Sequence, residues 1–175
     1  RYNLRLPPPE PLVGRELRLG IMERVRADGS VLVPLDLASL AEATRRLRQA
    51  KVESVAVCYL HSYRNARHER ETLEHLEREL PGVHVSLSSE VLPQIKEYER
   101  VSTTVADAYV GPVVAAYFER LEGELADVGY WGPLFIMLSH GGVAPVAEAR
   151  RLAAATVLSG PAGGVAGCKR AALIC

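Results

Sequence analysis

The stretch Ser159-Gly160-Pro161-Ala162-Gly163-Gly164-Val165-Ala166-Gly167 has the composition of a turn that can hold an anion. Apolar Thr156-Val157-Leu158 leads into it as the end of a short strand, and Pro161 suits the first position of a helix whose opening amides are free. Gly160, Gly163 or Gly164, and Gly167 recur at helical spacing, so the same glycines equally allow another backbone to pack closely. A second group, His68, Glu71 and His75, falls on one helical face at a spacing that suits metal ligation. Arg67, Glu69, Arg70, Glu74 and Glu77 surround it, and that charge density marks a solvated, ion-paired face with no metal assigned. His61-Ser62 and Ser139-His140 each follow an apolar run and would form a Ser–His pair if the two strand ends were neighbours. Neither serine sits in a Gly-x-Ser-x-Gly elbow, so turn and capping duties are the simpler reading and no catalytic residue is assigned. Finally, Glu97-Tyr98-Glu99-Arg100-Val101-Ser102-Thr103-Thr104 is a dense polar cluster that either binds a ligand or caps and ion-pairs the helix it opens.

Positioning these groups requires alternating strands and helices. Charge alternates with apolar residues over Glu16–Val25, Asp28-Gly29 supplies a tight turn, and Val31–Leu35 answers as the partner strand of a β-hairpin. Asp36 is placed to cap a helix over Leu37–Ala50 whose Leu40, Ala43, Thr44 and Leu47 form an apolar stripe. Val52–Leu60 reads as a central strand ending at His61-Ser62-Tyr63, on the edge where open α/β sheets carry ligands. Asn65 caps a helix to about Leu80, Pro81-Gly82 breaks it, and Val83–Leu87 is the next strand. Ile95–Val128 is helical, as two helices or one kinked at Gly111-Pro112, and Pro133–Leu138 is a further buried strand. The fold class is α/β: a mixed, largely parallel sheet with flanking helices.

Composition narrows the partners. With 21 basic and 21 acidic side chains in 175 residues, nothing supplies the positive field that nucleic acid or an anionic membrane requires. No apolar run approaches the roughly 20 residues of a membrane span, no export signal opens the chain, and the expected location is cytoplasmic. Cys58, Cys168 and Cys175 lack CxxC spacing, which predicts buried, reduced thiols and no structural zinc. Pro7-Pro8-Pro9-Glu10-Pro11 reads as an extended linker over residues 1–13, and the apolar Ala171–Cys175 end lacks a helix cap; both suggest an excised part of something larger.

Four motifs in series resemble the ATP-dependent hydantoinase/oxoprolinase family: Val57-Cys58-Tyr59-Leu60-His61-Ser62-Tyr63, Ser88-Ser89-Glu90-Val91-Leu92-Pro93, Glu97–Val105, and Leu158–Val165. The resemblance is to an interior segment of the hydantoinase A (N-methylhydantoinase A) subunit. It implies a fragment of an actin-like, sugar-kinase-type ATPase fold, divided into an α/β half over residues 14–92 and a helical then α/β half over 93–175. It also implies ATP and Mg²⁺ as cofactors of the parent protein, which activates the amide of a small cyclic substrate such as a hydantoin or 5-oxoproline so that water opens the ring. Relatives carboxylate acetone or acetophenone, and a hydantoinase B-like subunit is an implied partner. Carried over by motif, Ser159, Gly160, Gly163 and Gly164 would lie by the nucleotide, with His61, Ser62, Glu97, Glu99, Arg100, Ser102 and Thr103 in the cleft or between lobes. Asp107 and His140 stand where relatives more often have asparagine. The paired Asp-x-Gly-Gly-Thr-x-Thr-Asp phosphate loops of the family are absent from this sequence. The isolated chain is therefore expected to bind no cofactor and to be inactive. The alternative from another class is a noncatalytic module that docks on a second subunit.

Overall fold

A computed structural model describes residues 10–173; Pro7-Pro8-Pro9 of the expected linker and Cys175 lie outside the described residues. The hairpin forms, but more narrowly than the alternation suggests: β1 is Arg24–Val25 and β2 is Val31–Val33, paired antiparallel, while Arg15–Leu17 is a 3-10 turn. Its turn rests on Gly29 at φ +90° and on Asp28, whose Oδ1 accepts from the Ser30 amide (2.9 Å) and hydroxyl (2.7 Å). Helix α1, Leu37–Gln49, opens on Asp36, whose carboxylate accepts from the Ala38 and Ser39 amides, and it buries Leu40, Ala43 and Thr44 as the stripe predicts. Those hydrogen bonds hold the Asp36 carboxyl below its usual range.

The centre of the chain is a β–α–β unit. Strand β3, Ser54–Val57, runs parallel to β4, His84–Leu87, in the register Ser54–His84 to Val57–Leu87. Helix α2, Arg67–Glu79, makes the crossover, entered through Asn65, whose Oδ1 accepts from the Arg67 amide (3.1 Å). The unit's core is Val57, Leu76, Leu80 and Leu87, with Leu47, Val55, Tyr59, Leu73, Val83 and Val85 packed against it.

Beyond β4, a single turn α3 (Ser88–Val91) leads into α4 (Glu97–Asp127), one uninterrupted helix that carries Pro112 internally. It packs across β3 and β4 with its Arg100, Thr104, Asp107, Ala108 and Gly111 face. Gly111 lets the helix approach β4 closely, since a Cβ there would meet the His84 ring, which would have to turn aside. An antiparallel pair, β5 (Phe135–Met137) and β6 (Val143–Pro145), and a short helix α5 (Val146–Arg151) follow. Instead of the single largely parallel sheet expected, the described residues form three separate two-stranded sheets within a mixed α/β fold: β3–β4 is parallel, and β1–β2 and β5–β6 are antiparallel.

The carboxyl-terminal part corrects the sequence reading. Thr156-Val157-Leu158 is not a strand: Ala153–Thr156 is a 3-10 turn, and the glycine-rich stretch is itself helix α6, Ser159–Ala172. The turn into it is made by Leu158 in the left-handed region, at φ +64°. Two β-branched residues, Thr156 and Val157, with no neighbouring strand to pair with do not hold an extended segment. Helix α6 buries none of its residues and touches β5, where Met137 faces Gly163.

Candidate functional site at the strand ends

Strands β3 and β4 are parallel, so their carboxyl ends lie side by side and deliver the Tyr59–Arg64 turn and the Ser88-Ser89 start of α3 to one place. Helix α2 sends Glu69 to it, and α4 sends Arg100. Both charged side chains are buried, at 0% and 1% exposure. Glu69 Oε1 accepts from the Tyr59 amide (3.0 Å) and from Ser88 Oγ (2.6 Å), and its Oε2 accepts from the Ser89 amide (2.8 Å). Arg100 Nη2 donates to the Tyr59 carbonyl (3.0 Å) and Nη1 to Ser62 Oγ (3.1 Å). Carboxylate and guanidinium therefore hold the amide and the carbonyl of the same residue just past the strand, where ladder pairing has ended.

The two charges are joined by hydroxyls. Ser62 Oγ lies 2.9 Å from Ser88 Oγ. Because Ser88 gives its proton to Glu69, it must accept from Ser62, which in turn accepts from Arg100; the proton order Arg100, Ser62, Ser88, Glu69 is fixed by elimination. Arg100 also lies over the Tyr63 ring at 5.6 Å, and its Nε has no hydrogen-bond partner among the described residues. The turn between them is held in a left-handed conformation at His61, φ +60°, whose Nδ1 donates to the Val25 carbonyl (3.0 Å). Asn65 Nδ2 donates to the Gly29 carbonyl (2.8 Å), and His68 Nδ1 donates to Glu23 Oε2 (2.8 Å), so the β1–β2 hairpin is fastened to the same turn.

A neighbouring cluster extends the network along α4. Asp107, fully buried, accepts from Ser86 Oγ (2.7 Å) and from the Ala154 amide (2.7 Å), tying β4 to the segment that leads into α6. Burial pushes the Cys58 thiol from an ordinary 9.0 up to about 11, with the nearby Glu69 charge adding to it, and Tyr59 is likewise pushed by burial to about 12. The fold thus favours the neutral thiol: that contribution is complete below pH 9.0 and is lost as pH rises through about 11. In a Cys175→Ser variant, a disulfide reagent at pH 8 should titrate exposed Cys168 at once and Cys58 only after denaturation. Immediate labelling of both thiols would show that Cys58 is not sequestered. Cys168 departs from the expectation that the thiols are buried.

Ser62 and Arg100 come together, with His61 beside them; Thr103 is half-buried, and Glu97, Glu99 and Ser102 are exposed, Glu99 and Ser102 on the outer side of α4 and Glu97 in its first turn. Ser139 and His140 are exposed, and His140 Nδ1 accepts from the Gly142 amide of its own turn (3.2 Å), while the Ser62 hydroxyl is taken by Arg100 and Ser88; the two serine–histidine pairs do not assemble. The α2 face is not the solvated one expected, since His68 and Glu69 are buried, and no group of three metal-ligating side chains occurs among the described residues. Glu69, Ser88 and Asp107 were absent from the candidate set. For Glu69 a signal existed: it shares the i, i+3, i+4, i+7 stripe of Thr72, Leu73 and Leu76.

Two family models match the chain, the hydantoinase/oxoprolinase N-terminal region over residues 1–80 and hydantoinase/oxoprolinase over 100–174. The chain belongs to the hydantoinase/oxoprolinase family. Caprolactamase subunit alpha from Pseudomonas jessenii is 40% identical over 162 residues, covering 93% of this chain and 23% of that protein. The crystal structure of the ATP-dependent caprolactamase from the same organism superposes with a TM-score of 0.84 over 93% of this chain and 23% of its own, at 40% identity. The nucleotide-free acetone carboxylase structure gives 0.78 at 29% identity, over 95% of this chain and 24% of its own. The 5-oxoprolinase of Saccharomyces cerevisiae is 38% identical over 132 residues, 75% of this chain and 10% of that protein. The chain spans less than a quarter of the length of these relatives. In this hydantoinase/oxoprolinase chain the strand-end network joins both matched regions, with Tyr59, Ser62 and Glu69 from the first and Arg100 from the second.

Proposed function

We propose that this chain is the scaffold part of an enzyme that uses ATP to activate the carbonyl of a cyclic amide. Transfer of a phosphoryl group to the amide oxygen makes the carbon electrophilic; one water adds to it, the ring C–N bond breaks as the nitrogen takes a proton and leaves as the amine, and a second water hydrolyses the resulting acyl phosphate to carboxylate and phosphate. The observation that carries this reading is the 0.84 superposition, at 40% identity, on a protein described as an ATP-dependent caprolactamase. A hydantoin, 5-oxoproline or a lactam fits the class, and a cytoplasmic location fits described helices of which none is long and apolar enough to cross a membrane.

Within this reading the halves 14–92 and 93–175 form one wall of the nucleotide cleft. Ser159, Gly160, Gly163 and Gly164 approach phosphate through the α6 amino terminus, where no side chain caps the first amides and no acidic residue occupies the first turn. The described residues offer no set of ligands for Mg²⁺, so no step is assigned to the metal here. Ser62 and Arg100, with His61, hold the strand-end turn in place, while Glu97, Glu99, Ser102 and Thr103 face the cleft or a second lobe.

The test is made on the full-length polypeptide. Phosphate release from Mg·ATP should depend on added hydantoin, 5-oxoproline or caprolactam and match ring opening in amount, whereas the 175-residue chain alone should show neither binding nor turnover. Ring opening without ATP, or full-length protein that binds no nucleotide in calorimetry, would refute the reading. A subunit-docking role is favoured only by the bare surface of α6 and would appear as partner binding with no ATP turnover.

A further inference from the structure

Asp107 is a fully buried carboxylate that takes no part in the chemistry proposed above. It stands on the inner face of α4, and its two oxygens serve different elements. Oδ2 accepts from the Ser86 hydroxyl of β4, and Oδ1 accepts from the Ala154 amide of the 3-10 turn Ala153–Thr156. The first backbone bond of that turn runs from the Ala155 amide to the Leu152 carbonyl (2.9 Å), so the Ala154 amide is one of the opening donors that a short helix leaves without an internal partner. The next residue is held from another side, because the Ser139 amide at the end of β5 donates to the Ala155 carbonyl (2.7 Å). Ala149 and Ala153 are completely buried, and side chains this small let the turn lie directly against α4. Only Val157 and Leu158 separate this clamp from α6. The Val157 amide returns to the Ala154 carbonyl (3.2 Å), and Leu158 is set in the left-handed region at φ +64°, so little slack is left between Ala154 and Ser159.

We propose that Asp107 is a positioning residue: by fixing Ala154 it sets where the opening amides of α6 point, and so how tightly the protein holds the phosphates of its nucleotide. The proposal rests on the reading of the α6 amino terminus given above. Asp107 touches no reactant and acts through the clamped turn, whose displacement would carry the first turn of α6 with it. What the link requires is an acceptor at Oδ1, not a negative charge, since its partner is a neutral amide. Ser86 bonds the other oxygen and has no contact with the turn, so it belongs to the same buried cluster without belonging to the link. These two differences separate positioning from simple support of the fold.

The experiment is calorimetric titration of Mg·ATP, without cyclic amide, into the full-length polypeptide and its variants, each first shown by circular dichroism to be folded at the temperature of the assay. Asp107→Ala removes the acceptor and should raise the dissociation constant at least about tenfold. Asp107→Asn keeps an oxygen for the Ala154 amide and should return the constant to within about threefold of the parent. Ser86→Ala loosens the same cluster from the β4 side but leaves the Ala154 bond in place, and it too should stay within about threefold. Hydrogen exchange supplies a readout that needs no variant: in the parent protein the Ala154 amide should be protected, and in Asp107→Ala both it and the first-turn amides of α6 should exchange faster. An Ala154 amide that exchanges in the parent as fast as an open loop overturns the proposal. So does an affinity that Asp107→Ala leaves at the parent value, or one that Ser86→Ala lowers as far as Asp107→Ala does. Parent protein that binds no nucleotide overturns the underlying reading together with the proposal, and it is recognised before any variant is made.

Discussion

Glu69→Gln should lower the stability of the fold by about 2–4 kcal/mol, read as a fall in the urea midpoint with an unchanged slope. All three groups that reach the Glu69 side chain are donors, the Tyr59 and Ser89 amides and the Ser88 hydroxyl, and two of them are backbone N–H groups that cannot reverse. A carboxylate only accepts, so it suits them all. A glutamine must turn its NH₂ towards one or the other amide, leaving a donor against a donor inside a closed site. Asp107→Asn is the natural control, because it makes the same chemical change at another fully buried position. There the asparagine oxygen can keep the Ala154 amide, and its NH₂ can be accepted by Ser86 Oγ, whose own proton turns to His84 Nε2 at 3.3 Å. The cost should stay below about 1.5 kcal/mol. Equal losses at the two positions would mean that charge, not donor direction, decides the effect.

The contrast also explains what a sequence can and cannot disclose here. Helix α1 and the hairpin are legible because their determinants are local: Asp36 caps amides two and three residues on, and Asp28-Gly29 closes its own turn. The fate of the charges on α2 is not local. Arg67 and Glu71 pair with each other in solvent, whereas Glu69, two residues away, is buried by partners that arrive from the end of β3 and the start of α3. The polar cluster at the head of α4 drew attention to Arg100 together with Glu97, Glu99 and Ser102, and only the packing of α4 on the parallel strands separates the buried member from the exposed ones. The glycine-rich stretch was misread in the opposite sense. Its glycines do recur at helical spacing, and the helix they announce begins at Ser159 itself, because no neighbouring strand gives Thr156–Leu158 a ladder to join.

Arg100 is the other residue whose loss should be severe. Arg100→Met removes both donors at once, leaves the Tyr59 carbonyl and the Ser62 hydroxyl without their partner, and strips the buried Glu69 carboxylate of the positive charge at the far end of its hydroxyl chain. The expected cost is about 3–5 kcal/mol. Arg100→Lys should recover only part of it, since an ammonium on a shorter stem cannot serve the carbonyl and the hydroxyl with the geometry of a planar fork, nor stack as well over Tyr63. The double variant Glu69→Gln, Arg100→Met separates a linked network from two independent anchors. If Arg100, Ser62, Ser88 and Glu69 act as one chain, removing the second end costs less once the first is broken, and the double variant should be more stable than the sum of the single losses by about 1 kcal/mol or more. Strict additivity would mean that each charge holds its own side of Tyr59 and that the two serines merely fill the space between them.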